Sequence, residues 1–486
     1  MSSNQTRQET PTGHTAAHPR EGRARAGAWL PCLLSVLLLG ACTSLPPRQP
    51  EAAGAPGRVQ VQGAQGTLTP EARRETLRNV AAEGARERFV NHLRTLTRSG
   101  DADLYRGNRT RLLVDGPATF GAMKAAIASA RERVLLQSYI FEDSGVAAEV
   151  AELLLQRAAE GVAVAVIYDA VGSITTPIEF FQRLTDGGVR VCEFNPVNPV
   201  RRPGHWGITH RDHRKLMVVD QSVAFTGGIN ISRVYGSGSG SWRRRAPASE
   251  PGAALDDGWR DTQIELRGPV VPAIARVFEN TWREQGCQGE PPASSRPAAA
   301  PEPGDRVVKV LASDPREEGN RIYSALLAAI DASQSQVRLT MAYFAPGADF
   351  VQALCDAAQR GVAVELVLPG RSDSTLALHA GRSYYTQLLQ AGVQIHEMDQ
   401  AVMHAKTAVI DGVFSTVGSS NLDWLSFVAN NELNVIVLGE AFGSEMNTLF
   451  ERDRAASRPI TLDAWERRGP GSRLMEGLGR LLERWL

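Results

Sequence analysis

The chain has 486 residues, and its 53 Lys and Arg residues balance 53 Asp and Glu residues, so the formal net charge is zero. This length allows two or three domains with a sizeable core, and the lack of a basic excess argues against a nucleic-acid-binding protein. The five cysteines form no C-x-x-C pair, so neither a zinc site nor a redox dithiol is indicated. Cys192 and Cys355 lie in apolar runs and are predicted to be buried thiols.

Residues 1–41 have the layout of a secretory signal peptide, with a polar arginine-containing segment, a short apolar run and small residues at its end. The run closes on Leu39-Gly40-Ala41-Cys42, which resembles the bacterial lipoprotein box, in which the cysteine is acylated after cleavage. The run is too short to span a bilayer comfortably, although an uncleaved signal anchor stays an alternative. We therefore expect lipidation at Cys42 and a protein anchored at a bacterial cell membrane, facing the periplasm or the cell exterior.

The segment 42–105 is predicted to be a tether followed by a helix. Residues 43–68 are rich in Pro, Gly, Ala and Gln, as linkers are. Thr69 and Pro70 provide a cap and a first helical position, and apolar residues then recur at helical spacing to about residue 97.

From there, apolar strands alternate with helices in two similar series, which predicts βαβ units. The first series, in residues 106–286, has strands at 111–114, 134–141, 162–168 and 189–194 and helices at 147–159 and 178–185. The second, in residues 305–465, has strands at 337–344, 362–368 and 393–397 and helices at 352–360 and 384–390. We expect an α/β fold of two similar halves, each a mostly parallel mixed sheet flanked by helices. A Pro-rich linker at 287–304 separates them, and an amphipathic helix at 466–486 follows.

One polar motif occurs in both halves with identical internal spacing. It comprises His213, Lys215, Asp220, Gly227, Gly228 and Asn230 in the first half, and His404, Lys406, Asp411, Gly418, Ser419 and Asn421 in the second. A buried strand followed by a glycine turn would explain the apolar residues and the glycines. It would not explain a histidine, a lysine and an asparagine at matching positions, so the repeat indicates a duplicated active site.

These paired motifs, H-x-K-x4-D followed by G-[GS]-x-N, resemble the phospholipase D superfamily. Residues 212–232 and 259–269 are similar to bacterial cardiolipin synthases of the two-motif type, and the resemblance extends from about residue 108 to 454. It implies two phospholipase D-like halves with the active site at their interface, and phosphatidyl transfer through a phosphohistidine, forming cardiolipin from phosphatidylglycerol. Alternatives are a phospholipase D-type hydrolase, a nuclease of the superfamily, and a non-catalytic lipid-binding protein, which the two intact motifs disfavour.

The motif residues suit chemistry at a phosphodiester. One histidine can attack phosphorus while the other protonates the leaving alkoxide and then deprotonates the incoming alcohol. The resemblance favours His213 as the nucleophile and His404 as the acid and base. The predicted phosphate-binding groups are the side chains of Lys215, Asn230, Lys406 and Asn421.

Two pairs of acids follow from the same alignment. Asp261 and Glu432 each begin a strand after a motif, where a carboxylate could orient a catalytic histidine, as the resemblance also implies. Asp220 and Asp411 belong to the catalytic signature, but each stands between a strand and a turn, where structural support is the favoured reading.

No cofactor is expected, and the spacing of His205, His210 and His213 fits no standard zinc pattern. Phospholipids, phosphatidylglycerol among them, and a membrane surface are the expected partners, without nucleic acid; the oligomeric state stays open. Alignment of the halves places an insertion at 236–255, where Trp242 and three arginines suggest a gate at a lipid interface, or an ordinary surface loop. The leucines of the last helix are expected to pack on the protein body rather than on lipid.

Overall fold

The structure is a computed structural model that describes residues 59–98, 103–198, 200, 204, 207–239, 258–294, 302–317 and 319–485. The predicted signal peptide, Cys42 and residues 240–257 of the insertion region lie outside these residues. Within the described part, no helix combines the length and apolarity needed to cross a membrane.

The first half alternates strands and helices in the predicted order. Its elements are β3 (Asp103–Val114), α3 (Asp115–Ala128), β4 (Arg133–Ser138), α4 (Val146–Ala159), β5 (Ala163–Asp169), α5 (Ile178–Asp186), β6 (Arg190–Phe194), β7 (Arg211–Asp212), β8 (Leu216–Val219), β9 (Val223–Gly227), β10 (Thr262–Arg267) and α6 (Val271–Glu284). The predicted strands and helices are present, with bounds that differ by a few residues, except that β3 begins well before the predicted strand.

The second half repeats this series and adds elements at its end. They are β11 (Arg306–Ser313), α7 (Arg321–Asp331), β12 (Gln336–Met341), α8 (Ala348–Gln359), β13 (Ala363–Pro369), α9 (Thr375–Arg382), α10 (Tyr385–Gln390), β14 (Gln394–Met398), β15 (Lys406–Ile410), β16 (Phe414–Gly418), α11 (Trp424–Val428), β17 (Asn430–Leu438), α12 (Glu440–Ala455), β18 (Arg458–Ile460), α13 (Leu462–Glu466) and α14 (Pro470–Leu482). A 3₁₀ turn, Glu483–Trp485, follows α14.

Each half contributes a mixed sheet. The strand order is β6-β5-β4-β8-β9-β10-β3 in the first half and β14-β13-β12-β15-β16-β17-β11 in the second. Only the first three strands of each series are parallel, so the expectation of mostly parallel sheets is corrected: antiparallel neighbours predominate. The reason is local, because the motif strand and the next strand are joined by a tight turn, and such hairpins are antiparallel.

The two sheets join where β3 pairs antiparallel with β11. A shared apolar core lies between the halves, with Ile264, Phe278 and Trp282 from the first half and Val435 and Phe442 from the second. The halves are therefore not two independent domains joined by a linker. Residues 287–294 of the predicted linker also bind the first half, where the Gly289 carbonyl accepts a hydrogen bond from Trp282 Nε1 at 2.9 Å.

The N-terminal segment is more structured than the predicted tether and single helix. It forms a hairpin, β1 (Gln60–Gly63) and β2 (Gly66–Thr67), and two helices, α1 (Pro70–Asn79) and α2 (Arg86–Arg98), separated by a 3₁₀ turn, Glu83–Ala85. Thr69 caps α1 as predicted. Apolar residues of this segment, such as Phe89 and Leu96, belong to the core of the second half.

Cys192 is not a buried thiol, which corrects the prediction. It forms a disulfide with Cys287, and their Cα atoms are 5.7 Å apart. Cys192 lies on β6 and Cys287 follows α6, so the fold brings together two positions that are 95 residues apart in sequence. Cys355 is a buried free thiol, as expected.

Candidate active site

Two short backbone crossovers bring the motifs together. Strand β7, directly before His213, pairs with the start of β17, and the His213 N–H donates to the Asn431 carbonyl at 3.0 Å. The equivalent contact in the other half is made by His404, whose N–H donates to the Arg260 carbonyl at 2.8 Å. Each motif histidine therefore lies beside the strand start that carries the acid of the other half.

The acid–histidine pairs are crossed between the halves. Glu432 Oε1 lies 2.9 Å from His213 Nδ1, and Asp261 Oδ2 lies 2.7 Å from His404 Nδ1. A carboxylate that accepts a hydrogen bond from Nδ1–H holds the proton on that nitrogen and leaves the lone pair on Nε2 available. Sequence reasoning placed an acid after each motif, but it did not show that each acid serves the histidine of the opposite half.

Each carboxylate is fixed by its own surroundings. The Ser419 hydroxyl donates to Glu432 and accepts the Leu433 N–H at 2.9 Å. The corresponding position in the first half is Gly228, where a Cβ atom would lie 2.1 Å from Asp261 Oδ1. The second residue of the G-[GS] pair therefore differs between the halves for a reason. Ser419 holds Glu432 by a hydrogen bond, whereas Gly228 leaves the space that Asp261 occupies.

The two lysines lie beside the histidines in the buried site. Lys215 Nζ donates to the His213 carbonyl at 2.6 Å, and Lys406 Nζ donates to the His404 carbonyl. Burial lowers the pKa of Lys215 to about 7 and that of Lys406 to about 8. Each ammonium also repels the other, while Glu432 and Asp261 favour both charges, which couples both motifs in one electrostatic site.

Burial also lowers the pKa of both histidines. Lys406 adds to this effect at His404, whose pKa lies well below its usual value. Burial opposes ionisation of both acids and raises the pKa of Asp261 to about 6. At Glu432 the favourable interactions with His213 and Lys215 outweigh burial, so its pKa is below the usual range. Before substrate binds, the site therefore favours neutral imidazoles.

Aromatic side chains that the motifs did not reveal surround the histidines. The Tyr139 ring meets His213 edge-on at 5.0 Å and lies 5.2 Å from Lys215 Nζ. Around His404, the Tyr235 hydroxyl is 3.0 Å from Nδ1 and the Trp259 ring centre is 5.1 Å away. Tyr235 and Trp259 lie on either side of residues 240–257, which are outside the described part of the chain. In the sequence, only their closeness to Asn230 and Asp261 could have indicated that they belong to the site.

The two motif asparagines are buried. Asn230 Oδ1 accepts the Ile140 N–H at 3.2 Å, which leaves its amide N–H groups to other partners. Asn421 Oδ1 has no hydrogen-bond partner among the described residues. A buried amide oxygen without a protein partner can accept a hydrogen bond from a ligand.

Asp220 and Asp411 lie at the far ends of their motif strands, away from the histidines. Both adopt a left-handed backbone, with φ of 53°. Asp220 Oδ1 accepts the N–H groups of Glu132 and Arg133 at 2.9 and 3.0 Å. Asp411 Oδ1 accepts the Ser335 N–H at 2.7 Å, and its Oδ2 lies 2.9 Å from Nε2 of the buried His92. These contacts secure the starts of β4 and β12, so the structure does not bring either aspartate to the histidines.

His210 has a contact of its own beside the site. Its Nε2 lies 2.8 Å from Asn431 Oδ1. His205, the third histidine of the set considered for metal binding, is outside the described residues. Among the residues that the structure describes, no group of three or more His, Cys, Asp or Glu side chains is placed to hold a metal ion.

The fold and the paired histidines define a class, the two-motif proteins of the phospholipase D fold. A solved structure with the same fold is phosphatidylserine synthase from Haemophilus influenzae, with a TM-score of 0.57 and 12% identity, covering 78% of this chain and 95% of that one. The family described as "Cardiolipin synthase, PLD-like domain" matches residues 123–235 and 326–454, one stretch in each half.

Curated relatives specify the family further. Cardiolipin synthase A from Pseudomonas aeruginosa is 33% identical over 369 residues, which is 76% of this chain and 71% of that protein. Cardiolipin synthase from Halalkalibacterium halodurans is 31% identical over 375 residues, which is 77% of this chain and 71% of that protein. The chain belongs to the cardiolipin synthase family of phospholipase D-like proteins.

Replacing Asp411 with Asn should reduce stability more than turnover. The hydrogen bonds and His92 hold the pKa of Asp411 at about 2, below its unfolded value, so this group stabilises the fold above about pH 4 and loses that effect as the pH falls toward 2. We expect a loss of roughly 2 kcal/mol in the free energy of unfolding at pH 7, shrinking toward zero in strong acid. Urea unfolding at several pH values measures this loss.

The matched control is Asp220→Asn, at the equivalent position of the first half. Both variants should keep turnover within a few-fold of the wild-type value per folded molecule. A well-folded Asp411→Asn variant that is as inactive as His404→Ala would mean that Asp411 takes part in the chemistry.

Proposed function

We propose that this protein transfers a phosphatidyl group from one phosphatidylglycerol to a hydroxyl of another, forming cardiolipin and releasing glycerol. The observation that carries the proposal is the crossed arrangement of acids and histidines, with two buried lysines, in a chain of the cardiolipin synthase family. Such a site offers a nucleophile, an acid and base, and positive charge for one phosphodiester.

In the first step, Nε2 of His213 attacks the phosphorus of phosphatidylglycerol. Glu432 accepts a hydrogen bond from Nδ1–H and stabilises the imidazole as it gains positive charge. The phosphorus–oxygen bond to the glycerol headgroup breaks, and His404 donates a proton to the departing alkoxide. Glycerol leaves, and the phosphatidyl group stays on His213.

The protonation state required of His404 depends on the substrate. The free site favours a neutral imidazole, because burial and Lys406 lower the pKa of His404. The anionic phosphodiester opposes that effect and favours the imidazolium, as any nearby opposite charge does. Substrate binding would therefore prepare the acid that the first step needs.

In the second step, His404 accepts the proton from a hydroxyl of a second phosphatidylglycerol. The oxygen attacks phosphorus and the bond to His213 Nε2 breaks, which restores the free imidazole. The lysines and the asparagines Asn230 and Asn421 bind the non-bridging oxygens throughout. Water in place of the second lipid would give phosphatidic acid instead, which is the hydrolase alternative.

We infer in addition that the chain is exported and anchored by lipid at Cys42. The disulfide between Cys192 and Cys287 supports export, because such bonds persist outside the reducing cytosol. The lipoprotein-like sequence at 39–42 supports acylation. The signal peptide at 1–41 and the periplasmic or external location belong to the same proposal.

Product analysis tests the proposed reaction. Purified protein given vesicles with headgroup-labelled phosphatidylglycerol should yield cardiolipin and labelled glycerol. His213→Ala and His404→Ala should each lose at least about 10³-fold in turnover, because both groups act on one phosphorus. Phosphatidic acid as the dominant product would replace the proposal with the hydrolase, and substantial activity in either variant would contradict a shared site.

The same preparation identifies the nucleophile. Denaturation at neutral to mildly alkaline pH, which spares the acid-labile phosphohistidine, should trap the phosphorus-labelled phosphatidyl group on the peptide that contains His213. The His213→Ala variant is the control and should take up no label. Label on the peptide containing His404 would reverse the two roles.

The pH profile should reflect the lowered lysine pKa values. The pKa values of about 7 and 8 mean that the free site loses positive charge as pH rises through this range, so kcat/KM should fall there. A bound phosphodiester raises both pKa values, so the fall in kcat should come at higher pH. The acid limb should lie below pH 6.5, because the pKa of His213 is lowered.

Lys406→Arg provides the control for this profile, because a guanidinium keeps its charge throughout the range. Its profile should keep the fall near pH 7 that reflects Lys215 and lose the further fall near pH 8, even if its rate is reduced. A wild-type kcat/KM that stays constant up to pH 10 would contradict the lysine assignment.

Palmitate labelling in cells tests the anchor. The wild-type chain should incorporate labelled palmitate, and Cys42→Ser should lose the label and accumulate as a precursor. Cys32→Ser, a cysteine within the apolar run, is the matched control and should keep the label. An unlabelled wild-type protein whose mature N-terminus is not Cys42 would contradict the anchor.

A further inference from the structure

The last helix, α14, is docked by its least apolar face. Its buried residues are Glu476 and Gly479. Gly479 packs so closely on α9 that a Cβ atom would lie 2.5 Å from the Ala380 nitrogen. Glu476 pairs with Arg468 at 2.8 Å. The contact with the protein therefore uses a glycine and a paired carboxylate, and this corrects the expectation that the leucine face packs on the body.

The leucine face is exposed instead. Leu474, Leu478 and Leu481 are 65%, 43% and 76% exposed. At 100° per residue they fall within about 60° of one another, opposite the docked face. Because Gly479 fixes which side meets α9, the same helix cannot turn these leucines inward without losing its contact. An exposed apolar stripe of this kind marks a surface for an apolar partner.

The position of α14 connects it to the active site. Helix α9 follows the carboxyl end of β13, and Asp373 in the connecting loop accepts a hydrogen bond from the Tyr343 hydroxyl at 2.7 Å. The Tyr343 ring in turn lies edge-on to His404, at 6.2 Å. The helix thus lies on the elements that border the second-half histidine.

The first half has exposed apolar residues at the equivalent edge. Ile174, which is 68% exposed, follows the carboxyl end of β5. The adjacent Ser173 hydroxyl accepts the Phe141 N–H and donates to the Tyr139 carbonyl, and Tyr139 contacts His213. In each half, exposed apolar side chains therefore lie on or against elements that follow the carboxyl end of a parallel strand, and the same elements connect to that half's histidine.

We propose that α14 and the loop after β5 that contains Ile174 (the Ile174 loop) form one bilayer-docking surface, which turns the active site toward the lipid interface. The occupant is a phospholipid bilayer rather than a second copy of the chain, because the substrates of the proposed function, on which this inference rests, are themselves bilayer lipids. Charge agrees with this choice, since the exposed Arg473 on α14 and Arg484 in the turn after it suit anionic headgroups.

Membrane-depth measurement tests the surface without requiring catalysis. Full-length Leu478→Cys and Ile174→Cys variants would each carry an environment-sensitive fluorophore and be mixed with phosphatidylglycerol and phosphatidylethanolamine vesicles containing brominated acyl chains. We expect quenching of at least twofold at both positions. The wild-type chain taken through the same labelling supplies the background from its own cysteines.

Glu290→Cys is the matched surface control. Its side chain is 84% exposed and pairs with Arg283. Its backbone carbonyl accepts a hydrogen bond from Arg190, at the amino end of β6, which is the opposite edge of the sheet. It should not be quenched. If the fluorophore at position 174 or 478 is not quenched by the brominated lipid, the docking surface is overturned. Label at 478 that responds to protein concentration without lipid overturns it in favour of a second copy.

Activity separates docking from chemistry. The triple variant Leu474→Gln, Leu478→Gln, Leu481→Gln should lose at least tenfold on sparse vesicles and less than twofold on monomeric short-chain phosphatidylglycerol. The corresponding Leu→Met triple variant should behave as wild type on both. Equal loss on both substrates overturns the proposal, because α14 would then support the fold. If no variant, wild type included, turns over short-chain lipid, the proposed function fails while the depth measurement still decides the surface.

Discussion

The carboxylate that binds each motif histidine comes from the opposite half of the chain, and this crossed pairing requires the two halves to keep a fixed relative position. Two crossing backbone contacts bring His213 to Asn431 and His404 to Arg260. Arg260 is buried next to these contacts, and its guanidinium binds Asp453 on α12 through two nitrogens, at 2.8 and 2.6 Å. A buried ion pair loses solvation that only close geometry restores, so removing either partner would leave an uncompensated charge between the halves.

The crossed pairs also explain why the shared core is apolar and continuous. When the carboxylate that binds a histidine belongs to another sheet, the histidine keeps its tautomer only if the distance between the two sheets stays constant. The pairing of β3 with β11 and the packing of Phe278 against the second half provide that rigidity. Close-packed interiors deform little, so an orienting acid can be supplied from a distant part of the chain without loss of geometry.

Much of the fold was accessible from sequence, because repeated spacing survives without any knowledge of contacts. The strand at 189–194 was predicted within one residue of its observed bounds, and both copies of the histidine and lysine were located by alignment of the halves. The crossing of Glu432 and Asp261 was not accessible, since either pairing satisfies the same spacing. The partner of Cys192 was equally hidden, because proximity between β6 and the end of α6 arises only when the layers pack.

Other differences arise from competition between local pattern and tertiary contact. The leucine spacing of α14 predicts a buried face, but it carries no information on which side of the helix docks, and Gly479 decided that. The proportion of parallel strands was overestimated because βαβ units dominate the pattern, whereas hairpins add strands without adding helices. Tyr139 and Tyr235 lie outside the motif spacing, so only their positions in space connect them to the histidines.

The packing of α1 and α2 against the second half means that this half is discontinuous in sequence. Asp411 finds His92 at 2.9 Å although 319 residues separate them, and the Ala82 N–H donates to Glu440 Oε2 at 2.8 Å. The first half is in effect inserted between two pieces of the second. As the chain emerges amino end first, the first half can close soon after α6 appears, but Phe89 and Leu96 must wait for most of the chain. Folding from the amino end onward therefore leaves the amphipathic helix α2 without its core until most of the chain has emerged, a period in which a holding factor or a membrane surface would have something to bind.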